Sequence, residues 1–366
     1  MMRTIIETKD LIPDKDLFKR LCLAFGPTGC EEEVDGLIKD ELAGYCDKIE
    51  TDRLGNTYAF LGTDPAKKTL MLFAHKDEVG FLITGVSPEG LLYFSNVGGI
   101  MPTVLMGRRV VVRTLENKDI YGVIATKPVH MLSRDERKQL PTADEMYIDV
   151  GATERKQLEG IIDVGCYGTF IPSFEYFGEN DKKLAAKAID DRIGCAVMAG
   201  FARNYYPVRE KLPVNVVLAF TVREEIGNSG ANVACERIKP DYALILESTA
   251  ASDIAGVPQS GKVAITGEGG AVSFMDRSTV YDRGMKDFVF HVADEKNIPV
   301  QLKKFVSGGN DAGAVHRAAG GIRTVALSTP SRYIHSAVCV IGSRDYDSVF
   351  KLSCAIAENA DLIDNY

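Results

Sequence analysis

Residues 214–231 read VNVVLAFTVREEIGNSGA, and the rest of the chain is interpreted around this stretch. Its first part, Val214–Thr221, is an apolar run rich in β-branched residues, which is typical of a strand buried in a parallel sheet. Two adjacent acids, Glu224 and Glu225, follow the run, and glycines come after them. Neighbouring carboxylates in a buried pocket repel each other unless a cation offsets their charge. The stretch therefore predicts a metal site in which one glutamate binds metal and the other moves protons.

Length and composition place the chain among ordinary globular proteins. Its 366 residues suit one large domain or two moderate ones, and 45% of them are hydrophobic and 26% charged. A formal net charge of -8 argues against binding to nucleic acid or to an anionic membrane. No apolar run approaches the roughly 20 residues that span a bilayer, and the N-terminal segment carries charges too early for a signal peptide. We therefore predict a cytoplasmic protein without nucleic-acid or membrane partners.

Helix-like and strand-like segments alternate along the chain except in one central region. Between about Gly80 and Pro172, short strand-like runs recur with turn signals, and no long amphipathic helix is predicted. We therefore predict an α/β catalytic domain formed by residues 1–79 and 173–366, interrupted by a β-rich domain at residues 80–172. The charged segment Ser133–Glu145 is predicted to be an exposed loop. Other predicted elements are helices at 14–23, 190–206, 230–238, 279–297 and 343–363, and strands at 69–75, 214–221, 243–247, 299–306 and 324–329.

Chemically active side chains follow several predicted strands. His75 ends the run TLMLFAH, and Asp77 comes two residues later, a spacing at which an imidazole can bind metal while the carboxylate orients the ring. Glu247 ends the run ALILE, and His335 lies just past the run TVALST. Taken singly, each has a simpler interpretation, such as a satisfied histidine or an acid at an exposed strand end. All of them lie at or just past the ends of predicted strands. This shared position indicates a binding site, because ligands bind at the carboxyl ends of parallel strands.

Asp190 and Asp191 open a predicted helix in KAIDDRIG. One acid can cap the N-terminus of the helix, and the other can interact favourably with the helix dipole in the first turn. For Asp190 taken alone, N-terminal capping is the simpler interpretation. A carboxylate at a helix start can nevertheless bridge two metal ions. Two histidines and three carboxylates without a thiolate suit a pair of Zn, Co or Mn ions. The eight cysteines are scattered without a CxxC pair, and several are predicted to be buried core thiols.

Several motifs in the same order resemble the dinuclear metalloaminopeptidases called tetrahedral aminopeptidases, a family that includes glutamyl aminopeptidases and cellulase M-like proteins. They cover essentially the whole chain: GPTGCEEEV from Gly26, DRLGN from Asp52, AHKDEVGF from Ala74, VGG from Val97, KAIDDRIG from Lys187, TVREEIGNSGA from Thr221, GGNDAG from Gly308 and RYIHS from Arg332. The resemblance implies a zinc-exopeptidase-type mixed sheet flanked by helices, with a small PDZ-like β-barrel inserted for dimerisation. It also implies a homo-oligomer built from dimers, up to a tetrahedral dodecamer.

The resemblance also implies a role for each candidate residue. Two divalent metal ions, zinc first, would be held by His75, Asp190, Glu225, Glu247 and His335. In this scheme His75 pairs with Glu247, Glu225 pairs with His335, and Asp190 bridges the ions. Glu224 would act as general base and acid, and Asp77 would orient His75.

The chain departs from the common family pattern at four positions. Glu247 stands where Asp is frequent, and the longer side chain makes the geometry there less certain. Lys76, Gly270 and Asn310 replace an uncharged residue, Pro and Thr, respectively, and are predicted to alter the substrate pocket. None of the four removes a proposed ligand.

The implied activity is hydrolysis of the first peptide bond of short peptides through a water shared by the two ions. Three alternatives remain. A metal-dependent amidase or deacylase would act on N-acylated small molecules. A glycosidase (endoglucanase) is disfavoured because the chain has no tryptophan to form a sugar platform. A non-catalytic assembly protein could keep the fold, although the intact ligand set argues against it.

Overall fold

The computed structural model describes residues 2–366, within which seven α-helices and seventeen strands occur. The helices are α1 (Lys15–Leu23), α2 (Glu32–Leu42), α3 (Ile189–Tyr205), α4 (Ser229–Ile238), α5 (Arg283–Glu295), α6 (Ala312–Val315) and α7 (Ser343–Glu358). The strands are β1 (Lys48–Thr51), β2 (Thr57–Leu61), β3 (Thr69–His75), β4 (Gly80–Val86), β5 (Leu92–Val97), β6 (Arg109–Arg113), β7 (Asp119–Ala125), β8 (Tyr147–Asp149), β9 (Tyr167–Phe170), β10 (Phe174–Phe177), β11 (Lys183–Ala186), β12 (Asn215–Thr221), β13 (Tyr242–Ala250), β14 (Gly270–Val272), β15 (Val300–Leu302), β16 (Arg323–Arg332) and β17 (Cys339–Gly342).

One large mixed sheet contains eleven of the strands, in the order β1-β2-β12-β3-β13-β16-β17-β11-β10, with β14 and β15 attached beside β16. Its centre is parallel, because β12, β3, β13 and β16 all run in the same direction. The neighbours β2 and β17 pair antiparallel with this central group. The carboxyl ends of four buried parallel strands therefore meet at one edge, which is where ligands bind in sheets of this type.

Strand alternation divides the hydrophobic core into two layers, one on each face of the sheet. Leu72, Leu218 and Leu244 belong to the layer that also contains the buried side chains of α3 and α7. Phe73 and Ile245 belong to the layer that includes residues of α4 and α6. Helices therefore cover both faces, and the predicted α/β sheet flanked by helices is confirmed.

The remaining six strands close into a barrel in the order β4-β5-β8-β7-β6-β9, and every strand pair in it is antiparallel. The barrel has its own core, in which the rings of Phe94 and Phe170 pack edge-on against Phe81 at centroid distances of 5.3 and 5.2 Å. Most residues of the segment 133–145 are exposed, as predicted for a loop. The first barrel strand, β4, begins at Gly80, five residues after β3 ends at His75, so the barrel stands beside the carboxyl edge of the large sheet.

Several predicted elements have different bounds in the structure, among them the helix predicted at 279–297, which is Arg283–Glu295, and the strand predicted at 324–329, which is Arg323–Arg332. Strand β13 runs to Ala250, beyond the predicted end at residue 247, because it stays paired with β16 throughout. Strand β15 ends at Leu302 rather than near residue 306, because the short strand β14 is its only pairing partner within residues 2–366. The last helix ends at Glu358, and the chain continues as the 3-10 helix Ala360–Asn365.

The eight cysteines are free thiols, and six of them are buried, as the sequence predicts for core residues. Cys30 and Cys46 are partly exposed. No helix within residues 2–366 combines the length and the apolar character needed to cross a membrane.

Candidate active site

Parallel pairing brings His75, Thr221 and Glu247 together at the carboxyl edge of the sheet. His75 lies in register with Thr221, and Phe73 lies in register with Ile245, so Glu247 is level with His75 on the adjacent strand. The alternation described above points these side chains to the face covered by α4 and α6. The prediction that Glu247 ends its strand is wrong, because β13 continues beyond it and the residue is buried.

Asp190 reaches the same place from the opposite layer, because it lies at the start of α3. Its backbone is not helical, with φ −81° and ψ 108°. Ala188, two residues earlier, has a left-handed backbone conformation. The first turn is instead capped by Asp191, whose Oδ1 accepts a hydrogen bond from the Gly194 amide at 3.1 Å. The Oδ2 of Asp191 accepts from the His75 amide at 3.3 Å and ties the helix start to β3. The capping interpretation therefore applies to Asp191, and the Asp190 carboxylate is left to face the cluster.

Each oxygen of the Asp190 carboxylate faces a different histidine. Oδ1 lies 3.3 Å from His75 Nε2, and Oδ2 lies 3.3 Å from His335 Nε2. Glu247 Oε1 lies 3.6 Å from His75 Nε2, and Glu225 Oε2 lies 3.3 Å from His335 Nε2. Three groups place all their ligand atoms within 4.8 Å of one another: His75, Asp190 and Glu247; Asp190, Glu225 and His335; and His75, Glu224 and Glu225. Asp190 belongs to the first two of these groups.

Backbone carbonyls engage the second nitrogen of both imidazoles. His75 Nδ1 lies 2.9 Å from the carbonyl oxygen of Asp77, and His335 Nδ1 lies 3.0 Å from that of Gly99. A proton on Nδ1 donates to the carbonyl and leaves the Nε2 lone pair facing the acids, which is the tautomer that binds metal.

The Asp77 carboxylate fixes the turn that carries both glutamates. It accepts hydrogen bonds from the backbone amides of Glu224 at 3.2 Å and Glu225 at 3.3 Å, and from Thr28 Oγ1 at 2.7 Å. Its Oδ1 lies 3.5 Å from His75 Nδ1, farther than the backbone carbonyl of the same residue. Asp77 therefore contacts the predicted partner His75 but makes its hydrogen bonds mainly to the Glu224–Glu225 turn.

Glu224 lies at the edge of the cluster and is held by an amide side chain. Its Oε1 accepts from Asn228 Nδ2 at 2.8 Å, and its Oε2 lies 4.0 Å from His75 Nε2. Asn228 Nδ2 also lies 3.3 Å from Asp311 Oδ1, and Asp311 Oδ2 accepts from Thr221 Oγ1 at 2.7 Å. A chain of polar contacts thus connects Glu224 to strand β12.

Burial and mutual repulsion perturb the titration of the cluster. Burial, followed by the charge of Asp190, raises the pKa of Glu225 to about 8. Burial and neighbouring carboxylates also raise the pKa values of Glu224 and Glu247 well above their usual range. Burial would lower the pKa of His75, but Glu247 and Asp190 outweigh it and raise that pKa well above its ordinary value. The acids therefore stabilise positive charge at the centre of the cluster.

A cavity of about 210 Å³ opens beside this cluster. Its walls include the cluster residues Asp190, Glu224, Glu247 and His335, together with Lys303, Asn310 and residues 307–309. The prediction that Asn310 affects the pocket is consistent with this position.

The other two substitutions predicted to alter the pocket lie elsewhere. Lys76 is buried, forms an ion pair with Asp35 and donates to the carbonyl of Gly55 at 2.7 Å, and it does not line the cavity. A Cβ atom at Gly270 would meet the side chain of Leu327 in the core at 2.8 Å. Neither residue lines this cavity, and their effect on the substrate pocket stays a prediction.

Sequence reasoning missed three residues at the site. Asn228 stands four positions after Glu224, a separation at which a turn brings side chains together, so spacing could have indicated it. Asp311 directly follows Asn310 inside the GGNDAG motif, and an acid beside a predicted pocket residue could have indicated it. Nothing in the sequence distinguishes Lys303 from the next residue, Lys304. The two lysines differ in burial, which is visible only in the structure.

Comparison with known proteins identifies the family. The model of the M42 glutamyl aminopeptidase family matches residues 55–352, which contain all the acids and histidines of the cluster. The chain belongs to the M42 glutamyl aminopeptidase family. The resemblance inferred from the motifs is confirmed, and this M42 protein is a metal-dependent aminopeptidase that hydrolyses peptide bonds.

Sequence relatives and solved structures agree over nearly the whole M42 chain. The lysyl aminopeptidase of Pyrococcus furiosus is 30% identical over 96% of this chain and 99% of its own, and the glutamyl aminopeptidase of Lactococcus lactis is 28% identical over 90% and 92%. The TET aminopeptidase of Thaumarchaeota archaeon SCGC AB-539-E09 is 34% identical, with a TM-score of 0.91 over 96% of this chain and 98% of its own. The TET1 peptidase of Pyrococcus horikoshii, which can assemble into a tetrahedron or a large octahedral shell, is 29% identical, with a TM-score of 0.83 over 93% and 98%.

Proposed function

We propose that the protein releases N-terminal residues from short peptides at a site that holds two divalent metal ions bridged by Asp190. The observation that carries this proposal is the Asp190 carboxylate, whose two oxygens lie at the same distance, 3.3 Å, from two different histidines. His75 and Glu247 would complete one metal site, and Glu225 and His335 would complete the other.

The donor atoms fit ions of the zinc type. Both imidazoles can present Nε2, because their Nδ1 atoms face backbone carbonyls. The other donors are carboxylate oxygens, and the metal-binding groups found within residues 2–366 contain no thiolate. A mixed nitrogen and oxygen set of this kind suits Zn, with Co or Mn as alternatives. Divalent cations would also offset the repulsion among the clustered acids.

The residues of the chain would transfer the proton. Bound divalent cations supply Lewis acidity toward water and toward a carbonyl oxygen. Glu224 would take a proton from the attacking water and deliver it to the leaving amine, because its Oε2 has no hydrogen-bond donor among the described residues. Asn228 would keep this carboxylate oriented through its bond to Oε1.

Assembly and location complete the proposal. We propose that residues 80–172 form a separate PDZ-like domain used for dimerisation, inserted into a catalytic domain of residues 1–79 and 173–366. The separate core of the closed barrel supports the division. We propose a homo-oligomer built from dimers, with a dodecamer as one form; the tetrahedral and octahedral assemblies of the TET1 peptidase and the dodecamer in a related solved structure support an oligomer. We further propose a cytoplasmic location. Light scattering coupled to gel filtration measures the oligomer directly.

Replacement of the proposed base tests the mechanism. We expect Glu224→Gln to lower turnover of amino-acid p-nitroanilides by about 100-fold or more, because proton transfer is lost while the proposed ligands remain. Metal content, measured by mass spectrometry, should be unchanged. Glu268→Gln, at an exposed acid, is the matched control. Near-normal activity of Glu224→Gln in protein refilled with Zn, Co or Mn would rule out this assignment.

Two further measurements separate the alternatives. An aminopeptidase requires a free N-terminal amine, so leucine p-nitroanilide should be cleaved and its N-acetyl derivative should not. An amidase or deacylase should show the opposite preference. A glycosidase that uses two carboxylates should keep its activity after chelation, whereas the proposed enzyme should lose it and regain it with added metal.

A further inference from the structure

The two proposed metal sites are supported by different parts of the fold. His75 and Glu247 belong to β3 and β13, two central strands that are paired in register. Glu225 lies in the turn after β12, and His335 lies in the loop between β16 and β17. The second pair of ligands therefore depends on contacts outside the strands for its position.

The loop that carries His335 packs against the barrel. Ala337, two residues after His335, is buried in the barrel core together with Val79 and Ile100. His335 itself has a left-handed backbone conformation, with φ 57°. A residue other than glycine keeps such a conformation only where its surroundings hold it, so the barrel is part of what fixes this histidine.

A barrel loop at the end of β5, residues 96–100, contacts both ligands of the second site. The carbonyl oxygen of Gly99 lies 3.0 Å from His335 Nδ1. A Cβ atom at Gly98 would lie 3.3 Å from Glu225 Cβ and 2.8 Å from Val79 Cγ1, so the loop backbone is packed closely against the Glu225 side chain. The VGG motif noted in the sequence is the central part of this loop.

The shape of the barrel loop is fixed by the barrel itself. Asn96 Nδ2 donates to the carbonyl oxygen of Ile100 at 3.2 Å and closes the loop. Gly98 has φ 83°, a conformation that glycine adopts without strain. Ile100 is buried in the barrel core, so the position of the Gly99 carbonyl is tied to the barrel.

We propose, on the basis of the function proposed above, that the barrel loop 96–100 positions the ligands of one metal ion only, the ion at Glu225 and His335. A carbonyl that accepts from Nδ1 fixes the tautomer and the orientation of the ring, and loss of such a partner lowers metal affinity about 10–100-fold. The barrel thus controls the affinity of one of the two ions, and the ion at His75 and Glu247 is independent of it.

Gly98→Ala tests this positioning. The added Cβ atom must displace the loop from Val79 and Glu225, and the Gly99 carbonyl moves with it. We expect the affinity for one of two zinc ions to fall about tenfold or more and the affinity for the other to stay unchanged. Calorimetric titration of the metal-free full-length protein with zinc measures both affinities, and mass spectrometry after dialysis counts the ions retained per subunit.

Gly107→Ala is the matched control, because Gly107 also lies in the barrel and has φ 73°. A Cβ atom there meets nothing within 4 Å among the described residues, so the variant carries a similar backbone cost without displacing a neighbour. Both zinc affinities should equal those of the wild type. His335→Ala identifies the affected ion: in this background, Gly98→Ala should leave the affinity of the remaining ion unchanged.

If Gly98→Ala does not fold, Asn96→Ala provides the same comparison. It removes the donor to the Ile100 carbonyl and leaves every proposed ligand in place. The same ion should bind several-fold more weakly.

Two results would overturn the proposal, and they differ from each other. If the loop variants bind both ions with wild-type affinity, or weaken both equally, the positioning role is wrong and the proposed function stands. If the metal-free wild type takes up only one zinc ion per subunit, the proposed two-ion site fails and the inference about the barrel loop fails with it.

Discussion

Asn228 controls how the carboxylate of Glu224 is presented. Its amide donates to Oε1 at 2.8 Å, so the second oxygen, Oε2, is the one that lies 4.0 Å from His75 Nε2. The same amide nitrogen lies 3.3 Å from Asp311 Oδ1, which limits rotation of the asparagine. Restricting the rotamer of Glu224 favours proton transfer, because a general base must lie within hydrogen-bond distance of the water and in the correct orientation.

We expect Asn228→Ala to lower kcat by about tenfold, because Glu224 loses its orienting donor and samples other rotamers. Metal content should be unchanged, since the proposed ligands are histidines and carboxylates and Asn228 is not one of them. Steady-state kinetics on an amino-acid p-nitroanilide, together with metal analysis, measures both quantities.

Asn232→Ala is the control, because Asn232 is exposed on the same helix, α4. Loss of metal from Asn228→Ala would show that the asparagine supports the ligands and not the base. Unchanged kcat would show that Glu224 needs no orienting donor.

At the scale of the elements, the existence and direction of the central strands were predictable, and their bounds were not. Uninterrupted apolar runs identified β3 and β12, and parallel packing then brought His75 and the Glu224–Glu225 turn to one edge. Glu247 was found although the bounds of β13 were wrong, because its position depends on pairing with β3 and not on where the strand stops. The contact of His335 with Gly99 joins the chain after β16 to the chain after β5, and no local pattern in the sequence indicates this contact.

The start of α4 is packed too closely to accept a side chain. A Cβ atom at Gly230 would lie 2.1 Å from the carbonyl oxygen of Val222 and 2.6 Å from Asn56 Oδ1. We expect Gly230→Ala to lower the free energy of unfolding by about 1–3 kcal/mol, because the helix must move away from the turn that carries the glutamates. Urea unfolding followed by circular dichroism measures this change.

Gly36 provides the comparison within another helix, α2, because a Cβ atom there meets nothing within 4 Å. Gly36→Ala should raise the free energy of unfolding by about 0.5–1 kcal/mol through helix propensity. If the two variants had equal stability, the close packing at Gly230 would not be a constraint.

At the scale of the whole molecule, a buried ion pair joins the barrel to the large sheet. Glu78, just before β4, accepts from Lys187 Nζ at 2.5 and 2.8 Å and from Thr169 Oγ1 of the barrel at 3.1 Å. Arg192 of α3 lies 3.3 Å away from the same carboxylate. Lys187 also donates to the carbonyl of Ala24 at 2.9 Å, so barrel, helix and N-terminal segment meet at one acid.

We expect Lys187→Met to lower the free energy of unfolding by about 3 kcal/mol, because removal of one partner leaves a buried carboxylate undercompensated. Lys118→Met, which breaks the exposed pair with Glu116, should change it by less than about 0.5 kcal/mol. Denaturant titration of both proteins in the same metal-loaded state checks the difference. Equal effects would show that Arg192 alone compensates Glu78.

The alternation of side chains along β3 and β13 also has a genetic consequence. His75 and Glu247 are level on one face only because the strands keep their register through Phe73 and Ile245. A single codon inserted upstream within either strand would turn the active side chain to the other face, although every residue type would be preserved. Divergence of this gene should therefore preserve the length of the central strands and confine changes of length to loops such as Ser133–Glu145.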